Sequence, residues 1–141
     1  MMPQVISGGW TAPAYHPPHT RTVLIAEDDA AIRDMLRIIL ESEGFHIDVF
    51  SSGNQVLAQL ATAQSVPYVL ILDLQMADGN GLCVLQWLAE HPRQASQAVV
   101  IVATAQTAPL PQWSQTLVQT LLLKPYDIEI LIRNVAQGTA T

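Results

Sequence analysis

At 141 residues, half of them hydrophobic and 13% charged, the chain has the length and composition of one compact domain with a full-sized core. Six basic against twelve acidic residues give a net charge of −6, which leaves no basic stripe to hold a phosphate backbone and argues against direct nucleic-acid binding. A lone cysteine, Cys83, cannot form an internal disulfide, no apolar run approaches the roughly 18 residues of a bilayer span, and the amino terminus lacks a signal-peptide layout, so a cytoplasmic protein without a membrane partner is expected.

Residues 1–20 mix Pro, Gly, Ser and Thr with no sustained period and read as a flexible tail. Tyr15, His16 and His19 have no neighbouring Cys or carboxylate to complete a metal site. Thr22 to Ala26 is a β-branched, apolar run that ends in Glu27, Asp28 and Asp29. The period then changes. Ile32, Met35, Leu36, Ile39 and Leu40 form one helical face, closed by Gly44. Phe45 to Phe50 suits a second strand, Ser51-Ser52-Gly53 a capping turn, and Val56, Leu57, Leu60 and Ala61 a second helix.

The run from Val66 to Leu72 is too short for a core helix and has the composition of a strand buried on both faces; it ends at Asp73 and a Gly-rich turn. Leu82, Leu85, Leu88 and Ala89 mark a third helix ended by Pro92, and Ala98 to Ala103 a fourth strand ending at Thr104. Pro109 and Pro111 exclude an ordinary helix interior, so any helix here begins near Pro111 and runs to about Val118. Leu121 to Leu123 is a short fifth strand ending at Lys124-Pro125. Ile128, Leu131, Ile132, Val135 and Ala136 line a last helix that stops at Gln137-Gly138. Alternating strands and helices predict an α/β fold: a doubly wound, five-stranded parallel sheet with helices on both faces, spanning 21–137 between an N-terminal tail and a C-terminal tail at 138–141.

In such a sheet all strand ends lie on one edge, where ligands bind, so Glu27, Asp28, Asp73, Thr104 and Lys124 are expected to converge. Lys124 is the only lysine. A helix-capping acid, a strand-end hydroxyl and a solvated lysine would each explain one of these residues; no one of them explains all five.

Taken in order, VLIAEDDAAIR, LILDLQMADGNGL, VVIVATA and LLLKPYD resemble the receiver domain of bacterial two-component response regulators, of the single-domain chemotaxis-regulator type, over about residues 21–137. The resemblance implies Asp73 as phosphoacceptor, Glu27 and Asp28 as the acidic pair, Thr104 as the switch hydroxyl and Lys124 as the family's lysine. An oxygen-only carboxylate cluster favours Mg²⁺, with Asp28, Asp73 and the Gln75 backbone carbonyl as ligands and Glu27 acting through water. The expected partners are a histidine kinase or histidine phosphotransfer protein and a downstream protein, with a homodimer as a further option. The chain would catalyse only its own phosphotransfer and dephosphorylation. A pseudo-receiver, acting as an interaction module without phosphorylation, is the alternative. A haloacid-dehalogenase-like phosphatase would carry an acid where Gln75 stands, and a flavin protein would carry a hydroxyl-rich loop where the acids stand. Three departures from the family pattern are Ala77 after Met76, where proline is common, Leu121, where an aromatic ring is usual, and the stretch from Thr104 to Lys124, which is slightly shorter than usual and carries Pro109 and Pro111 where the family has its fourth helix.

Overall fold

A computed structural model describes residues 5–6, 10–11, 22–62, 67–78 and 80–139. Five strands, β1 (Thr22–Ala26), β2 (Ile47–Phe50), β3 (Tyr68–Leu72), β4 (Ala98–Thr104) and β5 (Val118–Leu123), form one sheet in the order β2-β1-β3-β4-β5. Every neighbouring pair is parallel. The helices are α1 (Ala30–Ser42), α2 (Gly53–Thr62), α3 (Gly81–Glu90), a single turn α4 (Pro92–Ala95), and α5 (Ile128–Thr139). This is the doubly wound fold expected from the alternation of periods.

The core has two layers, one on each side of the sheet. On one side Leu24, Leu70, Leu72, Val100 and Val102 pack with Val56 and Leu60 of α2 and Val84, Leu85 and Leu88 of α3. On the other, Val23, Ile25, Val69, Ile71 and Ile101 pack with Leu36 and Leu40 of α1 and Leu131 and Val135 of α5. All five residues of β3 are buried, as a central strand requires when alternate side chains enter opposite layers. Gly44 closes α1 with φ 94°, a left-handed conformation at which a side chain would be strained.

Pro92 ends α3 as expected, and its fixed φ also starts the next turn, α4. Three other expectations need correction: the crossover helix, the start of the fifth strand and the end of the last helix. The β4–β5 crossover contains no α-helix: Pro111 leads into a 3₁₀ turn, Gln112–Ser114, and β5 begins at Val118, three residues before the predicted strand. The register shifts there, Val100 facing Val118 and Ile101 facing Thr120, so Gln119 is an inserted residue. Its side-chain oxygen accepts the Val100 N–H at 2.9 Å, replacing the ladder bond that the bulge disrupts. With no helix above them, Leu121 and Leu123 at the sheet margin are 44% and 48% exposed. Finally, α5 runs through Gly138 to Thr139; a Cβ on Gly138 would lie 3.0 Å from Val69 and Val99, so the missing side chain lets the helix approach the sheet.

Val5–Ile6 and Trp10–Thr11 pair as a two-stranded antiparallel ribbon inside the segment read as a tail. Tyr15, His16 and His19 lie outside the described residues.

Candidate functional site

The strand ends meet at the carboxyl edge of β1, β3, β4 and β5. The Glu27 N–H donates to Phe50 O at 3.1 Å and the Asp73 N–H to Ala26 O at 3.1 Å, so both acids are placed by extensions of the strand ladders. The Lys124 N–H likewise donates to Thr104 O at 2.8 Å, and the Lys124–Pro125 peptide that follows is cis. Asp29, third in the acidic run, is drawn away from the cluster: its carboxylate caps α1 by accepting the Ala31 and Ile32 N–H groups at 2.9 and 3.2 Å.

Glu27 and Asp73 are buried and Asp28 is exposed; one carboxylate oxygen from each lies within 4.8 Å of the others. Lys124 Nζ donates to Glu27 Oε1 at 2.5 Å and to Asp73 Oδ2 at 2.9 Å. The other Asp73 oxygen accepts the Gln75 N–H at 2.9 Å, which sets the Gln75 backbone beside the cluster while its side chain stays exposed. Thr104 is fully buried, and its hydroxyl oxygen accepts the Gln106 N–H at 3.2 Å. Four of the residues singled out at the strand ends, Glu27, Asp28, Asp73 and Lys124, are therefore brought together, and Thr104 is tied to Lys124 through its backbone carbonyl.

Burial raises the Glu27 carboxyl above its ordinary value; Lys124 opposes this and the neighbouring Asp73 charge adds to it. Burial pulls Lys124 down, but its hydrogen bonds to Glu27 and Asp73 and their charges outweigh that effect, and the ammonium is held more firmly than a free lysine. Lys124 supplies one positive charge against three carboxylates. Glu27 Oε2 is buried and has no hydrogen-bond partner among the described residues, a costly state for a carboxylate oxygen. An all-oxygen cluster with an unsatisfied oxygen fits a hard divalent cation.

Two contributors were missed in the sequence. Arg33, one turn into α1, donates from Nη1 to the backbone carbonyls of Glu27 and Asp28. Gly81, at the start of α3, stands where a Cβ would lie 2.5 Å from Asp73 O and 2.7 Å from Leu74 Cα. Neither is a strand-end residue, the signal by which the others were found.

Residues 23–136 match the response regulator receiver domain. The chain belongs to this family. As a receiver it is a signalling phosphoacceptor module rather than a metabolic enzyme, and its acidic pocket of Glu27, Asp28 and Asp73 is the kind that receivers carry. It resembles a CheY-like receiver from Methanospirillum hungatei JF-1 with a TM-score of 0.75 and 27% identity, covering 86% of this chain and 96% of that one. The receiver also shares its fold with response regulator TrrA of Thermotoga maritima, solved in complex with Mg²⁺-BeF, at a TM-score of 0.70 and 24% identity over 84% and 98% of the two chains. In sequence it is 27% identical over 123 residues to the Vibrio cholerae CAI-1 autoinducer sensor kinase/phosphatase CqsS, covering 84% of this chain. The receiver spans 17% of that protein's length and 35% of the next curated relatives'.

Proposed function

We propose that this receiver accepts a phosphoryl group on Asp73 from the phosphohistidine of a histidine kinase or phosphotransfer protein in a two-component relay, and that the modified state changes its binding to a downstream protein. The observation that carries the reading is the pairing of Asp73: one oxygen is held by a backbone N–H and the other by Lys124, within a cluster completed by Glu27 and Asp28. Asp73 Oδ forms the new O–P bond as the donor's N–P bond breaks, and the imidazole leaves with the electron pair. Lys124 lies close enough to exchange its carboxylate contact for a phosphoryl oxygen, acting as a point charge. The Thr104 oxygen already accepts from Gln106, which leaves its proton for another phosphoryl oxygen.

The residues that would hold Mg²⁺ are Asp28, Asp73 and the Gln75 carbonyl, with Glu27 through water; the bound ion would neutralise the carboxylates and the transferring group. The unsatisfied Glu27 oxygen and the Mg²⁺-BeF complex of TrrA support that assignment. A cytoplasmic setting and action alone or as a homodimer complete the proposal. Among the described residues no helix is long and apolar enough to cross a membrane. Intact-mass measurement after exposure to a small acyl phosphate and Mg²⁺ tests the phosphoacceptor: one phosphoryl group is expected on the wild type and none on Asp73→Asn. Equal labelling of both would refute it.

A further inference from the structure

We propose that Arg33 is a positioning residue for cation binding: it fixes the backbone of the acidic loop so that Glu27 and Asp28 present their carboxylates together. The inference rests on the cation site proposed above. Three consecutive acids repel one another, and a loop carrying them relaxes by spreading its side chains apart unless its backbone is held. Here it is held from α1 at two points. Asp29 caps the helix through its side chain, and Arg33 Nη1 donates to Glu27 O at 2.8 Å and, more weakly, to Asp28 O at 3.4 Å.

The choice of partners is informative. An arginine beside three carboxylates would ordinarily take a bidentate ion pair. The bonds of Arg33 go instead to main-chain carbonyls, and the ion pairs of the cluster belong to Lys124. Its contribution is therefore geometric, and its charge opposes cation binding. This gives the two roles opposite signs. Removing a positive charge beside a divalent-cation site strengthens binding if Coulomb energy alone matters. Removing a group that orients ligands weakens it, typically by about tenfold or more.

Mg²⁺ is titrated calorimetrically into wild type, Arg33→Ala, Arg33→Lys and Asp28→Asn, with thermal melts run on the same samples. Arg33→Ala should bind about tenfold more weakly while still folded at the titration temperature. Arg33→Lys, which keeps the charge but loses the planar fork, should also bind more weakly, by a smaller factor. Unchanged or tighter binding in Arg33→Ala overturns the inference, and so does a lowered melting temperature with the wild-type affinity retained. Arg33→Lys, which retains a side chain of similar length, supplies the answer where the alanine variant melts too early: an affinity equal to wild type overturns the inference. Failure of the underlying reading looks different, since the wild type would then bind no Mg²⁺ or Asp28→Asn would bind it equally well.

Discussion

Substituting Gly81 by alanine sets two effects of known sign against each other. At an unhindered helical position alanine gains up to about 1 kcal/mol over glycine. At this position the new Cβ meets Asp73 O at 2.5 Å, Leu74 Cα at 2.7 Å and Leu74 Cδ2 at 2.9 Å. The first two are backbone atoms of the loop that carries Asp73, so a rotamer change cannot relieve them, and the Gly81 N–H is itself bonded to Leu74 O at 3.0 Å. Overpacking of this kind costs about 1–3 kcal/mol. Because two of the three clashes are with backbone, the upper end applies and the net loss is about 2 kcal/mol. For a domain of this size that lowers the melting temperature by about 8 °C. Urea unfolding at constant m-value measures the loss directly. A variant as stable as wild type, or more so, would show that α3 moves away freely and that the glycine is not needed for the close approach.

Further outcomes follow from the site and its surroundings. Glu27 has a folded-state pKa raised above its ordinary 4.5, first by burial, so its ionised form is the disfavoured one in the fold. The resulting penalty is absent below about pH 4.5 and develops as pH rises through the raised value; Glu27→Gln should therefore stabilise the metal-free protein at pH 7 and lose that advantage toward pH 4.5, and a difference independent of pH in urea melts would refute the reasoning. Gln75 and Gln106, two residues beyond Asp73 and Thr104, offer no acid to activate water, so Gln106→Glu should accelerate loss of the phosphoryl group by about tenfold, followed by intact mass with time; an unchanged rate contradicts it. Trp113 is 47% exposed beside the 3₁₀ turn of the short crossover, and a phosphoryl mimic at Asp73 should alter its quenching by acrylamide in a Trp10→Phe, Trp87→Phe background, with amide protection at Leu121 unchanged. Changes confined to α5 would show that the signal leaves elsewhere.

The strands most legible in the sequence are those whose backbone is regular. Thr22 to Ala26 and the run through Leu72 keep an uninterrupted ladder, and their buried composition is visible without alignment to anything. The start of the fifth strand is hidden in the sequence because Gln119 breaks its alternation: Val118 faces Val100 and Leu121 faces Val102, so the two share a face three residues apart, a spacing that belongs to a helix rather than to a strand. A bulge is set by pairing with Val100, which a local pattern does not contain. The site was legible because parallel topology converts strand ends into neighbours, which is why Lys124 and Glu27, 97 residues apart, could be joined in advance. Arg33 and Gly81 escaped because both act on backbone atoms. A helical arginine reads as a solvated charge and a glycine as a turn, and only the fold reveals the carbonyls that each one faces.

The position of Lys124 also bears on how the protein behaves at high concentration. Sheet margins carrying apolar residues are commonly guarded by a lysine whose charge keeps a second strand from adding on. The run Leu121-Leu122-Leu123 at the margin of this sheet is followed at once by the chain's only lysine, but that ammonium is turned inward onto Glu27 and Asp73. The gatekeeper is thus requisitioned by the pocket, and Pro125 is left to halt strand growth at that end. Placing a second lysine at the exposed Leu121 would restore the guard without disturbing the pocket, and would be the first change to make when the protein has to stay dispersed for crystallisation or calorimetry.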